Sequence, residues 1–246
     1  MNDMNLILGD CIKEMGKIKT SSIDMVLVDP PYGKTSCKWD SIIPIDEMWG
    51  ELKRIVKPSA AIVVMASQPF ASMLISSNIK MFKYEIIWKK NKVTGFLNAK
   101  KQPLRNHENI LVFYRKQCKY FPQKTYGHKP VNSYTKHSSD GTTVGKTKSG
   151  ISGGGQTSRY PTSVKEFNVV NQDGTNDGGN FHPSQKPIAL MEYLIKTYTE
   201  EGDVVLDFTM GSGTTGVACK KTKRKFIGIE NDQKFYTIAK ERIQNA

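Results

Sequence analysis

At 246 residues, with 38% hydrophobic side chains, the chain is long enough for one α/β core with an inserted smaller region and short for two independent domains. No apolar run approaches the roughly 20 residues that span a bilayer, and the start MNDMNLILGDCIKEM has neither a basic leader nor a small-residue cleavage site, so the expectation is a soluble cytoplasmic protein with no membrane partner. The formal net charge of +13 suggests a polyanionic partner, and it is concentrated: residues 80–105 carry +7 and residues 115–165 carry +9, against −3 for the rest, although a solvated basic face would also account for either stretch.

In chain order, the first buried strand reads over Ile23 to Val28 and ends on Asp29-Pro30-Pro31-Tyr32. In an α/β sheet that is the carboxyl end of a strand, where site crevices lie. The prolines restrict φ and supply no N–H donors, so the Asp29 carboxylate and the Pro30 carbonyl can both face one amino group. An aniline-like amine is a poor nucleophile because its lone pair is delocalised into the ring; two acceptors on its hydrogens favour the pyramidal, nucleophilic form. Tyr32 offers an aromatic face for stacking. Taken alone, the same four residues also suit a rigid turn.

A helix follows over Asp46 to Val56, then strands at Ala61 to Met65, Tyr84 to Trp88 and Ile110 to Tyr114. Between residues 116 and 180 the periodicity fails. The stretch GTTVGKTKSGISGGGQTS has no aromatic residue and only two large aliphatics, and a structureless connection of this length inside a domain is uncommon unless it has a function. Next come His182-Pro183-Ser184-Gln185-Lys186-Pro187, a reasonable helix entry, and a helix over Ile188 to Tyr198. A strand at Val204 to Phe208 leads into a glycine-rich turn with GxGxxG at Gly211, Gly213 and Gly216, and a helix from about Thr214. Glu230, 19 residues beyond Gly211 after the strand Phe226 to Ile229, has the place of a ribose-binding acid. That loop alone fits a nicotinamide dinucleotide as well as S-adenosylmethionine. No GxxxxGK[ST] pattern is present, which disfavours triphosphate hydrolysis. A last helix reads over Lys234 to Ile243. Cys11, Cys37, Cys118 and Cys219 lack CxxC spacing and read as reduced thiols, and no metal site is expected.

The alternation of strands and helices predicts a doubly wound α/β sheet. The three motifs together resemble the DNA amino-methyltransferases, in the circularly permuted subclass where the catalytic motif comes first, then a basic insertion, then the cofactor motif. The resemblance covers Leu8 to Tyr32, Trp88 to Tyr114 with His107-Glu108-Asn109-Ile110-Leu111, His182 to Pro187, and Val204 to Glu230. It implies a Rossmann-like S-adenosylmethionine-dependent fold, divided as catalytic half 1–115, target-recognition insertion 116–180 and cofactor half 181–246. It further implies that Asp29, Pro30, Pro31 and Tyr32 surround the target amine, and that Asp207, Gly211 and Gly213, with Phe208, Thr209, Thr214 and Thr215 beside them, surround the methionine part of the cofactor. Asp10, next to Cys11, would accept from the cofactor's adenine amine, Glu230 would bind ribose, and Ser184, Gln185 and Lys186 would close on the carboxylate side. The family's usual Phe two places before the first loop glycine is Thr209 here, with Phe208 one place earlier.

Asp before Pro-Pro-Tyr goes mostly with adenine N6 in that family, and Ser with cytosine N4. The expected activity is therefore N6 methylation of an adenine flipped out of double-stranded DNA, with cytosine N4 or an RNA or protein amine as alternatives. A nicotinamide-dependent dehydrogenase leaves Asp29-Pro30-Pro31-Tyr32 unexplained, and a noncatalytic nucleic-acid-binding module leaves the amine-orienting set unexplained. Lys89, Lys119, Lys124, Lys129 and Arg159 are the candidate DNA contacts. The sequence is compatible with a monomer or a homodimer.

Overall fold

The structure, a computed structural model, describes residues 3–33, 41–135, 140–141, 145–146, 150, 152–171, 177, 179, 181–182 and 184–246. Cys37 and Pro183 lie outside them.

Strand β1 (Met4–Leu8) leads into the single-turn helix α1 (Cys11–Met15), whose N-cap Asp10 accepts the Lys13 N–H at 3.0 Å. Strand β2 (Ile23–Val28) is followed by helix α2 (Ile45–Ile55), with Asp46 and Glu47 in its first turn and Lys53 and Arg54 in its last, each matched to the helix dipole. Strand β3 (Val56–Ala66), helix α3 (Phe70–Ser77), and the hairpin of β4 (Phe82–Thr94) with β5 (Arg105–Phe113) complete the first half. Two short ladders follow, β6 (Tyr134–Thr135) with β9 (Ser152–Gly153) and β7 (Asp140–Gly141) with β8 (Gly145–Lys146). The chain ends with β10 (Val164–Glu166), α4 (Ile188–Tyr198), β11 (Val204–Asp207), α5 (Thr214–Lys221), β12 (Lys225–Glu230) and α6 (Gln233–Gln244).

Eight strands form one sheet in the order β1-β12-β11-β2-β3-β5-β4-β10. All pairs are parallel except β3 with β5 and β4 with β5. Strand β2 shows the period-2 logic of a sheet covered on both faces. Met25 and Leu27 face a core layer with Leu190, Leu194, Val217 and Ile243 of α4, α5 and α6, while Val26 and Val28 face a second layer with Trp49, Leu52, Phe70 and Leu74 of α2 and α3. The predicted doubly wound sheet is therefore present.

Two compact units are distinguished: Met1–Phe121 with Ser163–Ala246, and Pro122–Thr162. The smaller unit lies within the expected insertion of 116–180, but the ends of that stretch belong to the larger unit. Strand β10 pairs with β4, and the Phe121 N–H donates to the Thr197 carbonyl at 2.8 Å.

Candidate active site

The topology places β11, which ends on Asp207, beside β2, which ends before Asp29, although the two lie 180 residues apart in sequence. A pocket in the larger unit opens at this end of the sheet. Its walls are the segments leaving β1 (Gly9, Asp10, Cys11), β2 (Asp29 to Tyr32), β11 (Phe208 to Ser212) and β12 (Glu230, Asn231), joined by Lys90, Arg105 and Glu108 of the β4–β5 hairpin and by His182, Ser184, Gln185 and Lys186. The residues singled out at three distant places in the sequence thus line one crevice.

On its acceptor side, the Tyr32 hydroxyl donates to Asp29 Oδ1 at 2.6 Å, and the Lys186 ammonium donates to Asp29 Oδ2. The Thr209 hydroxyl donates to the Asp29 carbonyl at 3.2 Å, tying the glycine-rich segment to the Pro-Pro turn. The Tyr32 ring lies 5.2 Å from that of Phe70.

On the other side, the N–H of Gly211 donates to Glu230 Oε2 at 2.8 Å, and the N–H groups of Asn231 and Asp232 donate to Oε1, each at 3.0 Å. Burial nevertheless raises the Glu230 carboxyl above its ordinary range. Asp207 is buried and accepts from the Thr215 hydroxyl at 2.6 Å and the Thr209 N–H at 3.1 Å. Burial outweighs these donors and pushes its carboxyl up to about 7. Burial, then the neighbouring Asp10, pushes the Cys11 thiol up to about 11, which keeps it a neutral wall.

Gly211 and Gly213 both have positive φ, +53 and +78, but differ in what a side chain would meet. A Cβ on Gly211 would project into open space at the pocket. A Cβ on Gly213 would lie 2.8 Å from Ala239 Cβ of α6, so this glycine serves helix packing. Thr214 is buried and accepts from Arg242 at 3.4 Å. Phe208 is 1% exposed and packs into the core, while also forming part of the pocket wall.

Asp10, Asp207 and Glu230 give this side three carboxylates, whereas Lys90 pairs with Glu108, and Lys186 with Asp29 and Glu108. Such an acceptor set repels a pyrophosphate. It fits a ligand that brings an ammonium, a sulfonium, ribose hydroxyls and an adenine amine, as S-adenosylmethionine does.

The motif around His182 divides its work. Ser184 Oγ lies 2.9 Å from His182 Nδ1, and the Gln185 side chain bonds the Phe181 N–H at 2.9 Å and the Gly179 carbonyl at 3.0 Å, with Ser212 Oγ at 3.4 Å. Lys186 turns instead to Asp29 and, 3.6 Å away, Glu108. Sequence reasoning gave Glu108 and Lys90 no role. For Glu108 the signal was its place in the His107-Glu108-Asn109-Ile110-Leu111 segment, two residues ahead of the fully apolar run Ile110 to Phe113, and Lys90 had none. Among the described residues no cluster of His, Cys, Asp and Glu could hold a metal ion, and no helix is long and apolar enough to cross a membrane.

The candidate DNA contacts are dispersed. Lys89 lies 3.4 Å from Glu166, and Lys119 is held by both Asp203 and Glu200 at 2.8 Å. In the smaller unit, Lys124 stacks 4.2 Å from the centre of the Tyr160 ring, and the Arg159 guanidinium binds the carbonyls of Gln156 and Lys129.

Comparison with known proteins agrees with this geometry. The DNA methylase family model matches residues 23–241. The DNA adenine methyltransferase YhdJ of Escherichia coli is 28% identical over 98% of this chain and 83% of its own length. Among solved structures, the M1.HpyAVI–SAM complex (TM-score 0.63, 24% identity, covering 97% of this chain and 99% of that one) shares the fold. So does the cytosine-N4-specific PvuII DNA methyltransferase (TM-score 0.68, 15% identity, 97% and 86%). The chain belongs to the DNA methylase family, the N6 and N4 amino-methyltransferases of DNA.

Proposed function

We propose that this DNA methyltransferase methylates adenine N6 in a specific sequence of double-stranded DNA, using S-adenosylmethionine, with Asp29 to Tyr32 as the amine-binding residues. The observation that carries this reading is the Asp29 carboxylate, fixed at the carboxyl end of β2 by Tyr32 and facing the same crevice as Asp207 and Glu230. The adenine relative and the Asp that opens the motif favour N6 over N4.

When bound, S-adenosylmethionine supplies a methyl group made electrophilic by its sulfonium. The chain's part is positioning and charge. A base extruded from the duplex stacks on Tyr32. Asp29 and the Pro30 carbonyl hold its amino hydrogens, which turns the nitrogen lone pair toward the methyl. Positive charge would develop on the amine during the transfer, and Asp29 would stabilise it and stand in reach of the departing proton. Asp10, Glu230 and Asp207 hold the opposite end.

Asp29→Ala is expected to reduce methyl transfer by about 10²–10³-fold, the scale on which a group acting on developing charge contributes, while S-adenosylmethionine affinity measured by calorimetry stays within a few-fold. Near-normal turnover of that variant would remove Asp29 from the chemistry. Sequencing the methylated bases in DNA from cells expressing the protein distinguishes N6 from N4 directly.

A further inference from the structure

We propose that Glu108 is a second seat for the Lys186 ammonium: Lys186 caps Asp29 in the resting enzyme and moves onto Glu108 when the substrate amine arrives. This rests on Asp29 receiving the amine and assigns a positioning role to two residues around it.

Both oxygens of Asp29 already carry a donor, the Tyr32 hydroxyl on Oδ1 and Lys186 Nζ on Oδ2. An incoming amine that donates to Oδ2 competes with an ammonium. A full positive charge at that oxygen also opposes the charge that grows on the amine during transfer. For both reasons the geometry with Lys186 on Asp29 suits rest better than reaction.

The alternative position is already built. Lys186 is 7% exposed, and its Nζ lies 3.3 Å from the Ser184 carbonyl and 3.6 Å from Glu108 Oε2. Glu108 Oε2 is shielded from solvent and accepts no hydrogen bond among the described residues. Such a buried acceptor is costly to leave unmet, and a shift of roughly 0.5 Å or more brings Lys186 into bonding range of it. The other oxygen, Oε1, is occupied by Lys90, whose ammonium also lies 4.7 Å from the Trp88 ring centre. Trp88 is in turn fixed by its Nε1 donating to the Phe167 carbonyl at 2.8 Å. Lys90 therefore holds Glu108 by Oε1 and leaves Oε2 for Lys186. Burial alone would raise the Glu108 carboxyl, but Lys186 and Lys90 hold it below the ordinary range, so the seat stays charged. Two carboxylates and two ammoniums make the cluster neutral, and the move leaves Asp29 with its full negative charge for the amine.

The test compares Glu108→Gln, Lys186→Met and the double variant by kcat and KM for DNA at saturating S-adenosylmethionine, with cofactor affinity by calorimetry. In Glu108→Gln the charged seat is gone and Lys186 stays on Asp29, so kcat falls by about tenfold or more with cofactor affinity retained. Removing the lysine as well releases Asp29, and the double variant recovers about fivefold or more over Glu108→Gln. A merely structural ion pair predicts that the second substitution gives no recovery. Near-normal kcat in Glu108→Gln, or a double variant no faster than it, overturns the proposal. Should Glu108→Gln fail to fold, Lys186→Met alone decides: a several-fold lower KM for DNA supports competition with the amine, and an unchanged or higher one overturns it. Because Asp29→Ala tests the underlying reading separately, an inactive Asp29→Ala without recovery in the double variant removes only the seat.

Discussion

Asp207 is a buried carboxylate lining the pocket, and on the proposed reading it ties pH and stability to cofactor binding. Its folded-state carboxyl lies near pH 7, above the ordinary value of 3.8, because burial outweighs the donors Thr215 and Thr209. Between those values the folded chain holds a proton that the unfolded chain has lost. Stability of the ligand-free protein therefore falls as pH rises through that window, by at most about 1.4 kcal/mol per pH unit. A cationic ligand prefers the ionised form, so affinity for S-adenosylmethionine is expected to rise between pH 6 and pH 8, with proton release on binding near the lower end. Calorimetry in buffers of different ionisation enthalpy measures both. Asp207→Asn should weaken binding at pH 8 and flatten the pH dependence; an unchanged slope would mean that another group titrates.

At the scale of elements, the two loop glycines make separable predictions. Gly213→Val forces a branched side chain to φ +78 and against Ala239 and Ile243, where the neighbouring contacts are backbone and core atoms of α6. Its cost is expected on the order of 2–4 kcal/mol, read as a lower melting temperature. Gly211→Ala meets no neighbour and carries only the strain of φ +53, so its melting temperature changes less while cofactor affinity falls. If Gly213→Val kept its melting temperature and lost only cofactor binding, that glycine would face the ligand after all. Sequence alone groups the two, since GxGxxG says that backbone must approach something without saying what. The six buried strands were legible because β-branched runs bounded by turns leave few other solutions. Strand β10, only Val-Lys-Glu with two of three residues exposed, has no such pattern and is defined solely by pairing with β4. Helix α1 is one turn long, too short for a period to register. The Asp29–Lys186 contact joins residues 157 apart, and nothing local announces it.

For the molecule as a whole, the charge that pointed to nucleic acid is not all free to meet it. Lys119 is paired with Asp203 and Glu200, which raises its ammonium above the ordinary range and occupies it within the larger unit. Lys124 and Lys129 of the smaller unit have no carboxylate partner among the described residues, although Lys124 lies over Tyr160. Neutralising Lys124 and Lys129 together is therefore expected to weaken binding to every duplex and to flatten the salt dependence by roughly 0.9 in slope for each phosphate that is no longer neutralised. Lys119→Met should leave that slope unchanged. Exchanging residues 134–159 for a flexible segment of equal length asks a different question. Direct readout needs particular side chains at particular places, whereas a linker needs only length. The exchange should change which sites are methylated while leaving S-adenosylmethionine affinity intact, because the residues lining the cofactor pocket all lie outside Pro122–Thr162. Part of this stretch falls outside the described residues, so the test is functional: methylated sites are mapped by sequencing alongside binding measured at several salt concentrations. An unchanged methylated sequence with an unchanged salt slope would make the stretch a linker and move sequence choice to the basic β4–β5 hairpin, where Phe96 and Leu97 stand 67% and 102% exposed among Lys92, Lys100 and Lys101.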